Sequence, residues 1–144
     1  MFSKTCEYGI KAVVFIAKTA DLVERVSLKS IAKAVDSPEP FTAKILQQLV
    51  RADIIDSQKG PNGGFLLDTI KLDTLVLADV VNAIDGDSIY RGCGLGLKNC
   101  DESQPCPMHE EFKKIRDDLK IMLQNAKISE LAFGLNEGVT FLKR

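Results

Sequence analysis

The sequence lacks any run of about 18 apolar residues, the length needed to cross a bilayer, and has no secretory signal at its start. We therefore expect a cytoplasmic protein with reduced thiols and no membrane partner. It also lacks a large excess of charge. The formal net charge is −1, with a slightly basic first half and a slightly acidic second half. Overall charge therefore neither indicates nor excludes a nucleic-acid partner, and any basic surface must be local.

Histidine and cysteine are scarce, with one histidine and four cysteines in the chain. The histidine and three of the cysteines nevertheless share one short stretch, 93–109, which reads C-G-L-G-L-K-N-C-D-E-S-Q-P-C-P-M-H. Its spacing is C-x6-C-x5-C-x2-H. Thiolate and imidazole groups bind zinc and iron–sulfur clusters. The pattern predicts a metal-binding loop with the ligands Cys93, Cys100, Cys106 and His109.

Three kinds of cross-link could explain this loop. Disulfides are only weakly supported, because they persist in oxidising compartments and the sequence indicates no signal peptide. Zinc sites usually pair their ligands as C-x2–4-C, and the gaps here are longer. A cluster tolerates longer gaps because its ligands span two or more irons. Spacing alone leaves zinc and an iron–sulfur cluster open. A Cys/His enzyme or cluster carrier is a further class, but the sequence shows no separate base and no nucleotide-binding glycine motif, so we do not expect an enzyme.

The first half of the chain has the pattern of a helix-turn-helix. Residues 4–20 are predicted to form a buried helix, and Ser27 is predicted to cap a short second helix. Ser37 is predicted to cap a third helix, with Pro38 at its first position. The third helix should turn Phe41, Ile45, Leu49 and Ala52 inward and Lys44, Gln47, Gln48 and Arg51 outward. Two short helices joined by a tight turn are typical of DNA-binding proteins.

A β-hairpin is predicted directly after these helices. The segments 54–59 and 65–67 are strand-like, and the turn-forming sequence G-P-N-G-G lies between them. A hairpin could be a plain surface feature. Its position after a helix-turn-helix favours the wing of a winged-helix domain, with Lys59 at the tip.

The second half is predicted to be helical around the metal loop. A helix is expected at 77–84, a long one from about 108 to 126, and a short last one capped by Ser129, with no clear signal from 135 onward. The long helix carries a heptad-like apolar stripe: Phe112, Ile115, Leu119, Met122 and Ala126. This stripe could pack on its own domain or on a second copy. A homodimer is expected, since one winged helix reads only one half-site.

The predicted fold class is therefore mainly α with a small β-hairpin. We expect a winged helix-turn-helix DNA-binding domain at 1–85 and a cysteine-rich cluster-binding loop at 86–107. A dimerisation helix and C-terminal segment should follow at 108–144.

These parts, in this order, resemble the Rrf2 family of winged-helix transcription regulators. The resemblance covers essentially the whole chain. It rests on the opening S-K-T-C-E-Y-G-I-K-A, the segment P-F-T-A-K-I-L-Q-Q-L, the wing K-G-P-N-G-G-F-L-L, the segment L-A-D-V-V-N-A-I-D-G and the three-cysteine loop.

The resemblance implies an iron–sulfur cluster. Three cysteines of this loop bind it in the family, and they match Cys93, Cys100 and Cys106. Some members add a histidine three residues after the last cysteine, which matches His109 and implies a 2Fe–2S cluster. Others use an acidic residue of the partner subunit near the start of the first helix. That residue matches Glu7 and would leave a 4Fe–4S cluster possible.

The resemblance also implies binding to double-stranded DNA. The family's third helix enters the major groove, and its wing contacts the neighbouring groove. The matching positions here are Pro38, Glu39, Thr42, Ala43 and Lys44 on the helix and Lys59, Gly60, Asn62 and Gly63 on the wing. The implied function is a homodimeric DNA-binding regulator whose DNA affinity depends on the cluster. The alternative is the same regulator with structural zinc or no metal.

Overall fold

Eight helices and one two-stranded antiparallel sheet make up the computed structural model, which describes residues 1–144. The predicted class, mainly α with a small hairpin, is confirmed. None of the helices is both long and apolar enough to span a bilayer. The elements are α1 Lys4–Thr19, α2 Leu28–Val35, α3 Glu39–Arg51, β1 Asp56–Gln58, β2 Gly64–Leu66, α4 Thr69–Thr74, α5 Leu77–Asp85, α6 Ser88–Arg91, α7 His109–Asn125 and α8 Ile128–Asn136.

Helix α1 forms the centre of the core and packs against α2, α3, α5 and α8. Its predicted bounds are confirmed. Ser3 caps its N-terminus by accepting a hydrogen bond of 3.1 Å from the Cys6 backbone N–H. Gly9 allows α5 to approach closely, because a Cβ at this position would overlap the Cδ1 atom of Ile84. The first helix is therefore buried along most of its length, as its apolar composition requires.

The helix-turn-helix forms as predicted, but its turn differs in detail. Ser27 caps α2 by accepting from the Ser30 backbone N–H, and α2 ends at Asp36 in the left-handed region, with φ 56°. Ser37 does not cap α3. Pro38 is the N-cap residue with an extended backbone, and Glu39 begins the helix. The Ser37 hydroxyl is instead buried without a hydrogen-bond partner.

Two predictions for the faces of α3 were wrong. Gln48 is half-buried, and its amide donates to the carbonyl oxygens of Ala83 at 3.2 Å and Ile84 at 3.4 Å. It therefore satisfies free carbonyls near the end of α5. Ala52 is exposed as the C-cap residue. The other inward positions hold: Ile45 and Leu49 are buried, and Phe41 is half-buried against the core.

The hairpin is shorter than predicted because part of the first strand-like run belongs to the core. Ile54 and Ile55 are buried, and β1 begins only at Asp56. The sheet pairs Ser57 with Phe65. Phe65 also pairs with Val26 through two backbone hydrogen bonds of 2.8 Å. The wing is thus joined at its base to the segment before α2.

Three features of the second half were not predicted. The short helices α4 and α6 were missed, and Asp68 caps α4 through the Ile70 backbone N–H at 2.8 Å. Helix α8 begins at Ile128 with Lys127 as N-cap residue, so Ser129 lies inside it and does not cap it. Ile128 and Ala132 are buried in the same core as α1. The end of the chain therefore shares one core with residues 1–85.

Helix α7 has nearly the predicted bounds but leaves its apolar stripe only partly covered. Leu123 is fully buried beside Cys6, Ala78 and Val81. The stripe residues Phe112, Leu119 and Ala126 are half-buried. Three apolar residues at intervals of seven are exposed: Met108, the N-cap residue, by 42%, Ile115 by 61% and Met122 by 49%. We call these three residues the α7 stripe. One protomer does not bury it.

Candidate metal loop and nucleic-acid interface

The predicted ligand loop runs between α6 and α7, and its four donor groups form two close pairs. The Sγ atoms of Cys93 and Cys106 lie 3.9 Å apart. The Sγ atom of Cys100 lies 3.4 Å from Nδ1 of His109, the first residue of α7. The three cysteines are half-buried and unpaired by disulfides, and His109 is 5% exposed. The loop therefore brings Cys93 beside Cys106 and Cys100 beside His109.

Each pair has the separation of two ligands on one tetrahedral metal. Thiolate sulfur binds such a metal at about 2.3 Å and imidazole nitrogen at about 2.0 Å. Tetrahedral angles then place two sulfurs about 3.8 Å apart, and a sulfur and a nitrogen about 3.5 Å apart. No set of three or more His, Cys, Asp or Glu side chains converges on one position that could hold a single metal ion. The donors therefore form two pairs, each with the separation expected for two ligands of one metal ion.

The surroundings of Cys93 favour the metal-binding form of that side chain. Backbone N–H groups of Leu95 and Leu97 lower the pKa of the Cys93 thiol, with smaller contributions from Cys106 and Arg116. The thiolate, which is the metal-binding form, is thereby stabilised. The Nε2 atom of His109 is buried with no hydrogen-bond partner. An unpartnered buried nitrogen is unfavourable, but a metal ion shared with Cys100 would bind Nδ1 and would leave Nε2 without a partner.

Two cations of α7 contact the loop and were missed in the sequence. Arg116 donates from Nη2 to the Sγ atom of Cys100 at 3.1 Å and from Nη1 to the carbonyl oxygen of Gly92. Lys113 forms an ion pair with Glu102. Their positions four and seven residues after His109 place them on the same side of α7 as that ligand. This helical spacing from His109 is the signal that could have identified them.

The alternative ligand Glu7 lies in the first turn of α1. Its carboxylate pairs with Lys4 at 2.7 Å, and this pairing lowers the pKa of Glu7. The neighbouring Cys6 is fully buried, and burial, followed by the nearby Asp85, raises the pKa of its thiol to about 12. Cys6 is therefore a packing residue with an unreactive thiol.

The N-terminal part of α3 presents only some of the predicted DNA contacts. Glu39 and Lys44 are exposed and Ala43 is half-buried. Thr42 is 2% exposed, and its hydroxyl donates to the Pro38 carbonyl oxygen at 2.9 Å. Thr42, one of the predicted DNA-contacting positions, is therefore covered in this structure. It ties the first turn of α3 to the turn before it.

The wing places most of its predicted residues at the surface. Lys59, Gly60 and Asn62 are exposed, and Gly63 is half-buried. Gly60 has φ +110°, a conformation that side chains rarely adopt. Arg25 was missed: its guanidinium donates to the Asn62 carbonyl oxygen at 3.0 Å and holds the wing tip.

A cleft of about 510 Å³ separates α3 from the wing, and Gln47, Arg51 and Lys59 are among its lining residues. Arg51 and Lys59 give this cleft two cationic side chains and no acidic one.

Comparison with known proteins agrees with this architecture. A helix-turn-helix transcriptional regulator of Aquifex aeolicus (strain VF5) is 28% identical over 133 residues, covering 91% of this chain and 90% of its own. CymR (YrzC), the global cysteine regulator of B. subtilis, superposes with a TM-score of 0.75 at 23% identity, covering 92% of this chain and 96% of its own. IscR of T. potens superposes with a TM-score of 0.75 at 20% identity, covering 97% of this chain and 91% of its own.

The structural neighbours, all below 25% identity, establish the winged-helix fold. The family is established by a sequence model described as an iron-dependent transcriptional regulator, which matches residues 2–133. Its members are transcriptional regulators and not enzymes, in agreement with the sequence. On this evidence the chain belongs to the Rrf2 family.

Proposed function

We propose that this protein is a homodimeric DNA-binding regulator whose operator affinity is set by an iron–sulfur cluster held in the 93–109 loop. The proposed ligands are Cys93, Cys100, Cys106 and His109. The observation that carries the proposal is the arrangement of these donors in two pairs, at 3.9 Å and 3.4 Å. A 2Fe–2S cluster has two tetrahedral irons, each with two protein ligands.

Structural zinc is the less favoured occupant of the loop. A single zinc ion needs three or four donors around one position, and no such set is present. Glu7 remains the alternative fourth ligand, supplied by the partner subunit, and would imply a 4Fe–4S cluster. Its pairing with Lys4 would then have to break, whereas His109 already lies beside Cys100.

The DNA-binding surface is proposed to combine α3 with the wing. Glu39, Ala43 and Lys44 would face the major groove, and Lys59, Gly60, Asn62 and Gly63 would follow the backbone of the neighbouring groove. Lysine contacts phosphate as a point charge, so Lys59 is assigned to the backbone and not to a base. Thr42 is left out because its hydroxyl is buried and already bonded.

Dimerisation is proposed to occur through α7. The α7 stripe is exposed at heptad spacing, which is the pattern of a helix that packs on a second helix. A two-fold dimer would present two wings and two α3 helices to a palindromic site. Such a regulator acts on chromosomal DNA, so the proposal places it in the cytoplasm.

Control of DNA binding would pass through the loop. The bound cluster would supply a redox-active centre that can be oxidised, reduced or lost. The loop joins α6, next to the DNA-binding domain, to His109 at the start of the proposed dimer helix. Ordering the loop would fix α7 relative to the two DNA-binding domains of the dimer. A coupling free energy of about 1–3 kcal/mol between cluster binding and DNA binding would change operator affinity about 5–150-fold.

The test begins with anaerobic purification and measurement of iron, sulfide and zinc per chain. We expect a coloured protein with two irons and two sulfides. Cys93→Ala should lose the cluster and change operator affinity. A colourless, zinc-containing protein, or equal operator affinity of the loaded protein and Cys93→Ala, would contradict the proposal. His109→Ala and Glu7→Gln then distinguish the two candidate fourth ligands, because only the substitution of the true ligand should lower the iron content.

A dithiol switch is the second candidate, because Cys93 and Cys106 are unpaired and their sulfurs lie 3.9 Å apart. A disulfide needs a sulfur separation of about 2.05 Å, so a shift of about 2 Å in an exposed loop would suffice. In this case, a two-electron oxidant would remove two protons and two electrons as the S–S bond forms. Mass spectrometry after mild oxidation of metal-free protein distinguishes this candidate, since it predicts loss of two mass units linked to a change in DNA affinity.

A further inference from the structure

The side chain of Arg116 bridges two parts of the ligand loop. It extends from α7, seven residues after His109, and is half-buried. One guanidinium nitrogen donates to the Sγ atom of Cys100 at 3.1 Å, and the other donates to the carbonyl oxygen of Gly92 just before Cys93. It is thus a fixed positive charge in direct contact with a proposed ligand sulfur.

We propose that Arg116 is a positioning residue that raises the reduction potential of the cluster and holds the loop on α7. This inference rests on the proposed function, because it assumes that Cys100 binds iron. Hydrogen bonds to the sulfur ligands are among the factors that set the potential of an iron–sulfur cluster. A charge-assisted hydrogen bond is stronger than a neutral one.

The direction of the effect follows from charge. Reduction by a one-electron donor would add one negative charge to a cluster held by Cys100, and part of that charge would lie on the sulfur ligands. The guanidinium remains cationic throughout, because arginine side chains are not deprotonated in proteins. Its attraction to the Cys100 sulfur is therefore greater in the reduced state, and the reduced state is stabilised.

The other cations of α7 near the loop do not have this role. Lys113 is paired with Glu102, whose negative charge offsets its own. Lys114 is exposed and makes no hydrogen bond or ion pair in the structure. Lysine in place of Arg116 would keep the charge but could not donate to Cys100 and Gly92 in the same fork geometry. The arginine is therefore required for both contacts at once.

The experiment compares the full-length protein with three variants: Arg116→Gln, Arg116→Lys and the matched control Lys114→Gln. All four are reconstituted anaerobically with iron and sulfide. Each is then titrated with dithionite against redox dyes while the visible absorption is recorded. The Fe–S stretching frequencies are measured in parallel by resonance Raman spectroscopy, which reports on the hydrogen bond without reference to DNA binding.

We expect Arg116→Gln to lower the reduced-to-oxidised ratio at a fixed potential about tenfold, which corresponds to 59 mV for one electron. Arg116→Lys should give an intermediate value, and Lys114→Gln should match the wild type. Equal potentials and Raman frequencies for Arg116→Gln and wild type would overturn the inference while leaving the cluster proposal intact. If Arg116→Gln does not retain iron, Arg116→Lys decides the question: a lowered potential supports the inference, and an unchanged one overturns it. A wild-type protein that binds no iron would refute the proposed function itself.

Discussion

The α7 stripe gives the most direct test of the dimer. Replacing both Ile115 and Met122 with alanine removes apolar surface that one protomer leaves exposed by 61% and 49%. Alanine has the highest helix propensity, so the double substitution should not weaken α7 itself. Any change in self-association can then be assigned to the lost contact.

The expected magnitude follows from the exposed fractions. Full burial of an isoleucine or methionine side chain contributes about 2 kcal/mol. Covering the exposed parts of these two residues would therefore contribute roughly 2 kcal/mol per protomer and roughly 4 kcal/mol per two-fold dimer. Alanine retains a methyl group, so most but not all of this is lost. The dimer dissociation constant should rise by about 100- to 1000-fold.

Sedimentation equilibrium over a range of protein concentrations measures this constant. The matched control is the pair Ile70→Ala and Phe133→Ala, which removes two side chains that are exposed by 79% and 64% on a different surface, beside α4 and α8. The control should dissociate like the wild type. A wild-type monomer, an unchanged constant in the α7 variant, or a larger effect in the control would refute the assignment of α7 as the dimer helix.

Three further outcomes are expected. Gly94→Ala should reduce iron loading, because its Cβ would overlap the Phe112 ring and the loop would have to shift at a cost of about 1–3 kcal/mol. A smaller residue at Phe112 should restore loading. Equal loading of Gly94→Ala and wild type would contradict this. Lys59→Gln should lower the slope of log affinity against log salt by about 0.9 for each protomer, measured by fluorescence anisotropy on operator DNA; an unchanged slope would remove Lys59 from the phosphate contacts. In metal-free reduced protein, iodoacetamide should modify Cys93 faster than an ordinary thiol and leave Cys6 unmodified until urea is added. With a pKa of about 12, only about one in ten thousand Cys6 thiols is ionised at pH 8, so rapid native-state labelling of Cys6 would show that its burial is wrong.

Predictions from local patterns succeeded where a local cause sets the structure. The bounds of α1 and α7 follow from long apolar periodicity, and the α2 cap follows from a serine at the right place. Short elements were less predictable. Helix α4 has six residues and α6 has four, too few for a periodic signal. Ile54 and Ile55 have strand-like composition, but packing places them in the core.

The sequence by itself determined the helical class, the helix-turn-helix followed by a hairpin, and the grouping of three cysteines with the single histidine, because periodicity, turn chemistry and ligand spacing are all local. Only the tertiary structure decided which donors stand next to one another, that Thr42 is buried, that Gln48 bonds to α5 and that Arg116 contacts Cys100. These contacts join residues of different elements or depend on which face of a helix is covered. The packing of the whole chain sets such distances, and they cannot be predicted from the spacing of residues along the sequence.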